Sequence, residues 1–171
     1  MVRRLFLSSL CSLAGLAVGG CAAIRANFAR EHALQSELDR YVIPKPLAEV
    51  WPSVILADTE SDKLLWQGFS WKDVGPYRKT TSKRTRVEPH SGEKQRQTQW
   101  FECEGASVPG GSQVRYFEST LSTTIRDGVE LGTESRRERR TDIELDLVKR
   151  FDPAAARRIE AAGERAARAE Q

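Results

Sequence analysis

The spacing of apolar residues changes several times along the chain, and each spacing predicts a different element. A largely apolar run covers Leu5 to Val18. After it, Ile24, Phe28, Leu34, Leu38 and Tyr41 recur at helical spacings among Arg30, Glu31, Gln35, Glu37 and Asp39. This is the pattern of a short amphipathic helix or of a partly ordered tether. Tyr41 to Ile43 reads as a short strand, and Pro44-Lys45-Pro46 keeps any helix from running through. Leu47, Val50, Trp51, Val54 and Ile55 then fall at i, i+3, i+4, i+7 and i+8, one apolar helical face. Pro46 suits the first helical position. Pro52 falls near the first turn, where its missing N–H costs little. Leu64, Leu65, Trp66, Phe69 and Trp71 are the densest aromatic cluster; either a helix resumes over Lys63 to Gln67, stops at Gly68 and gives way to a strand, the favoured reading, or a strand begins there. In the core, Trp51, Trp66, Phe69 and Trp71 would pack between helix and sheet, or line a ligand pocket there.

From Tyr77 onward the pattern is β. Tyr77 to Val87, Gln95 to Val108, Gln113 to Ile125 and Glu134 to Phe151 are rich in β-branched and aromatic residues. Pro89-His90-Ser91-Gly92, Pro109-Gly110-Gly111-Ser112 and Asp127-Gly128 separate them as hairpin connections, so the strands should form an antiparallel meander. Ile143, Leu145 and Leu147 alternate with Asp142, Glu144 and Asp146, which predicts a strand with one buried face. Tyr77 to Glu88 is polar on both faces and suits an edge. Asp152-Pro153 opens a last helix, an N-cap acceptor before a proline, whose small apolar stripe Ala155, Ile159, Ala162, Ala166 suits close approach to a sheet. The expected fold class is α+β, an antiparallel sheet of about four to five strands packed against two helices.

The start of the chain carries the most specific signal. Arg3 and Arg4 precede an apolar run too short for a membrane span, which needs about 20 residues, and the run closes on Val18-Gly19-Gly20-Cys21. This tetrad resembles a bacterial lipobox. The resemblance implies a signal peptide over residues 1–20, cleavage between Gly20 and Cys21, and a diacylglyceryl group on the Cys21 thiol. Ala22, a non-aspartate after the cysteine, implies by the same resemblance an outer-membrane location on the periplasmic face. The competing reading is an ordinary secretory signal cut elsewhere. Residues 21–40 would then be a lipidated tether and residues 41–171 a single α+β domain, a size that suits one folding unit.

Charge and cysteine content narrow the rest. The formal net charge of +3 falls to +1 once Arg3 and Arg4 leave with the signal, which weakens the case for a nucleic-acid partner. Cys11 leaves with the signal and Cys21 is acylated, so Cys103 has no partner for an internal disulfide and reads as a small buried strand residue. Two basic groups, Arg78, Lys79, Lys83, Arg84, Arg86 and Arg136, Arg137, Arg139, Arg140, read as charges on solvated edge strands, with anionic lipid head groups as a further possible partner.

Candidate chemistry is sparse. Asp58, Glu60 and Asp62 alternate like calcium ligands, yet Lys63 and Phe69 stand where an EF-hand loop needs glycine and glutamate. His32 and His90 are the only imidazoles, and neither sits in a nucleophile or metal signature. Glu102 and Glu104 alternate with Phe101 and Cys103, and strand alternation explains them without catalysis. No cofactor and no catalytic residue are expected. The Pro-Leu-x-x-Val-Trp-Pro start, the meander and the helix after Asp-Pro resemble the helix-grip domains of BamC-type lipoproteins of an outer-membrane assembly complex. That resemblance covers most of residues 41 to 168. It implies a non-catalytic envelope lipoprotein with an envelope protein partner, serving as an adaptor or accessory subunit. Alternatively, it implies a helix-grip binding module for an apolar or lipid ligand.

Overall fold

In the computed structural model, which describes residues 7–60, 68–90 and 92–171, the elements run α1 (Leu7–Arg40), α2 (Leu47–Glu60), β1 (Trp71–Gly75), β2 (Arg78–Thr81), β3 (Arg84–His90), β4 (Glu93–Val108), β5 (Gly111–Arg126), β6 (Val129–Arg139), α3 (Thr141–Phe151) and α4 (Pro153–Ala169). They form two compact units, one over Tyr41–Pro153 and one made of α1 with Ala154–Gln171. The fold is α+β, and among the described residues its sheet has six antiparallel strands where four to five were expected.

The sheet is built on β4 and β5, which pair without interruption from Lys94↔Ile125 to Val108↔Gly111. A two-residue turn at Pro109 and Gly110 closes this long hairpin. The next turn, Asp127-Gly128, has positive φ at both residues (50° and 82°), the geometry whose twist matches a hairpin. The sheet order is β1-β2-β4-β5-β6, with β3 also pairing to β4. The strand expected over Tyr77 to Val87 is thus β2 and β3 in line along β4, interrupted at Ser82 and Lys83. Side chains mend the gap: Phe101 N–H donates to Thr81 Oγ1 at 2.9 Å, and Thr80 Oγ1 donates to the Phe101 carbonyl at 3.1 Å. In place of a strand at Tyr41 to Ile43 there is one bridge, Ile43↔Ser112. Its approach is so close that a Cβ on Gly111 would stand 1.9 Å from the Ile43 carbonyl oxygen.

Helix α2 forms where the apolar stripe predicted it. The Pro46 carbonyl accepts the N–H groups of Glu49 and Val50, so Pro46 precedes the helix rather than occupying its first position. Pro52 lies in the second turn of α2, where it forgoes the bond that a donor there would make to the Ala48 carbonyl. Val50 and Val54 are fully buried, and Gly105 on β4 leaves room for Leu47 and Trp51. The core of this unit joins Ile43, Leu47, Val50, Val54, Phe69, Phe101, Cys103, Val114, Tyr116, Ile143 and Leu147. Cys103 is buried, as its strand position predicted.

Two expectations are corrected here. Ile143 to Leu147 is helical, not a strand: Ile143, Leu147 and Phe151 recur every four residues, and Val148 completes a buried stripe that period-two reading divides. Asp142 and Glu144 in its first turn and Lys149 and Arg150 in its last complement the helix dipole. The small-residue stripe of α4, expected against a sheet, groups with α1 instead. The two helices run antiparallel, with Arg30 Nε 3.0 Å from Glu164 Oε1 and the Leu34 side chain 3.0 Å from where a Cβ on Gly163 would be. Arg25 and Glu170 extend the contact at 3.9 Å. Glu164 of α4 therefore pairs with Arg30 of α1. Residues 21–40, expected as a tether, belong to a continuous helix braced by α4.

Candidate binding groove on the outer sheet

Register sorts the side chains of β3 to β6 into two faces, because opposite residues in an antiparallel pair share a side. One face carries the row Arg84, Gln99, Thr120, Arg136 and beside it the row Arg86, Gln97, Ser122, Glu134. With Glu118 and Glu138 these residues line an open groove of about 720 Å³. It is the continuation, on the same face, of the rows that carry Phe101, Cys103, Val114 and Tyr116 into the core.

The boundary between groove and core is a charge cluster. Arg140 reaches Glu118 at 3.1 Å and Asp142 at 3.0 Å, and its guanidinium carbon lies 5.8 Å from the Phe101 ring centre. Burial works against the Arg140 charge, but hydrogen bonds and attraction to Asp142 and Glu118 outweigh it and hold the guanidinium above its ordinary pKa. Glu118 Oε1 also accepts from Gln99 Nε2, so Glu118 is fixed from both sides. Behind it, Glu144 takes the place of a missing strand. β6 ends its pairing at Phe117↔Arg139; the Tyr116 carbonyl accepts from Arg140 N–H, and Tyr116 N–H donates to Glu144 Oε1 at 3.1 Å. Arg139 closes on the same carboxylate through Nε at 2.8 Å and Nη2 at 2.6 Å. Burial pushes the Glu144 carboxyl above its ordinary value, while Arg139 and the Tyr116 N–H pull the other way.

The basic residues singled out in sequence do not form one patch. Arg84, Arg86 and Arg136 gather on the groove. Lys83 and Arg137 belong to the opposite face, where Lys83 Nζ sits 4.7 Å from the Trp100 ring centre and Arg137 stacks 3.6 Å from that of Phe117. Lys79 is tied to Asp73 at 2.7 Å. Arg78 lines a smaller hollow of about 260 Å³ with Glu104, Gln113 and Arg115. Arg139 and Arg140 are structural. The aromatics also divide: Phe69 packs edge-on to Phe101 at 5.0 Å and Trp51 edge-on to Tyr77 at 5.6 Å, Trp71 is half-buried against the core, and Trp66 lies outside the described residues. Cys21 and Gly20 lie within α1. His32 is exposed, and among the described residues no three His, Cys, Asp or Glu side chains gather to hold a metal ion. No described helix is long and apolar enough to cross a membrane. Sequence reasoning missed the groove because its members come from four strands, and only the hairpin registers bring Arg84, Gln99, Thr120 and Arg136 into one row.

No protein family, curated protein or solved structure matches this chain.

Proposed function

We propose that this chain is a lipid-anchored, non-catalytic envelope lipoprotein that acts as an adaptor or accessory subunit, held at the periplasmic face of the outer membrane through Cys21. The observation that carries the adaptor role is the open polar groove, a ten-residue face of hydrogen-bonding and charged groups of both signs spread over four strands. Such a face suits a polar protein surface with charges of both signs. The helix-grip likeness, read from the Pro-Leu-x-x-Val-Trp-Pro start, the meander and the helix after Asp152-Pro153, offers a fold analogy and names no partner. The alternative, a module for an apolar or lipid ligand, has less support: Phe69 and Trp51 spend their faces on Phe101 and Tyr77.

Two experiments test this reading. Cys21→Ser is expected to abolish acylation and release the protein from envelope membranes; full membrane anchoring of the variant would overturn the anchor. Crosslinking of the full-length lipoprotein in native envelopes, followed by mass spectrometry of captured proteins and extracted lipids, is expected to yield a stoichiometric envelope protein. That capture should fall in Arg84→Glu/Arg136→Glu. A co-purifying lipid with no protein would transfer the assignment to the binding module.

A further inference from the structure

The braced helix α1 has two unlike sides. Ala26, Arg30, Leu34 and Leu38 recur every four residues on the side that meets α4, and Ala26, Leu34 and Leu38 are buried. The opposite side carries Ile24, Arg25 and Phe28, which stand three, four and seven residues after Cys21 in the sequence. Ile24 is 57 % exposed and Phe28 72 % exposed, the latter the most exposed of the large apolar side chains described. Further along the same side stand His32, Gln35 and Asp39, all polar. The apolar character of this side therefore stops about 10 Å from position 21, at a rise of about 1.5 Å per residue. An apolar side confined to the two turns nearest the anchored position can rest on the boundary between head groups and acyl chains, while the polar residues beyond it meet water.

We infer that Ile24 and Phe28 form a membrane-interface contact, in which the first two turns of α1 after Cys21 lie against the bilayer and His32 marks the aqueous side. This rests on the lipid-anchor reading, because acyl chains leaving position 21 would draw this stripe, and not the α4-facing one, to the lipid. Arg25 sits between the two apolar residues, positioned to reach lipid phosphates with its head while its stem stays among head groups. The occupant is the phospholipid interface and not a protein groove, because the apolar face is short and ends in step with distance from the acylated position.

The test uses the lipidated full chain, purified from envelopes and reconstituted in vesicles of phosphatidylethanolamine and phosphatidylglycerol. Nitroxide labels are placed singly through Ile24→Cys, Phe28→Cys, His32→Cys and Asp39→Cys; Cys103 is buried and stays unlabelled in the native fold. Collision with a water-soluble nickel complex is expected to be several-fold lower at positions 24 and 28 than at 32 and 39, with the reverse order for oxygen. As a second readout on unlabelled protein, hydrogen exchange at residues 24–28 should slow on reconstitution and recover in Ile24→Ser/Phe28→Ser. Equal nickel access at all four positions, in protein whose Cys21 peptide carries the acyl mass, would overturn the interface contact and leave the anchor standing. A Cys21 peptide without acyl mass would overturn both.

Discussion

The two halves of the β4–β5 ribbon share backbone, pairing and face, yet they do opposite work. Toward the helices, Phe101, Cys103, Val114 and Tyr116 are buried under α2 and α3. Two residues along the same face the side chains become Gln99, Gln97, Thr120 and Ser122, and the surface is an open groove. The ladder of hydrogen bonds continues unchanged across this boundary. What differs is the side-chain column alone, so one ribbon supplies both the stability of the unit and its candidate binding face. Stability should therefore be sensitive to substitution in the inner column and tolerant of it in the outer.

The sharpest test of that contrast is at the boundary. Glu144→Ala would leave Arg139 buried without its carboxylate and Tyr116 N–H without an acceptor, and should cost about 3–5 kcal/mol in urea unfolding. Phe101→Ala removes a buried ring from the inner column and should cost about 3–5 kcal/mol, whereas Gln97→Ala, four residues away on the same face, should stay within about 0.5 kcal/mol. Equal losses at 101 and 97 would break the comparison. Tyr116→Phe deletes the hydroxyl that donates to the Val54 carbonyl at 2.5 Å and should cost about 1–3 kcal/mol, since that carbonyl is left buried.

The smallest effect is one of pH. Because burial raises the Glu144 carboxyl above its ordinary value of 4.5, the folded state holds this proton more tightly than the unfolded state does. The contribution of the group is therefore full below pH 4.5 and declines as pH rises through the folded value. The difference in unfolding free energy between the wild type and Glu144→Gln should accordingly be largest in acid and shrink toward neutrality. A difference that grows with pH would mean that the Arg139 pairing dominates over burial.

Much of the inner half was legible in the sequence. The i, i+3, i+4, i+7 stripe of α2, the turn residues Pro109-Gly110 and Asp127-Gly128, and the burial of Cys103 follow from local patterns that tertiary structure leaves intact. Ile143 to Leu147 was not legible, because five residues with three apolar members fit period two as well as one turn of helix. The partner of the α4 stripe was hidden for a different reason: a run of alanines specifies close approach without saying to what. The groove lay furthest from view. Arg84, Arg86 and Arg136 looked like parts of two basic runs, and only register separates them from Lys83 and Arg137, their neighbours in sequence and their opposites in space.

The two tight turns also let the sheet assemble from local pieces. β5 is fed from both ends, by Pro109-Gly110 from the side of β4 and by Asp127-Gly128 from the side of β6. Each hairpin can zip from its own turn in roughly 1–10 μs, before any distant segment arrives. The two ladders use opposite edges of β5 and overlap from Phe117 to Ile125, the stretch that carries the groove. The groove therefore needs both hairpins, and a chain in which only one had closed would carry only part of its lining.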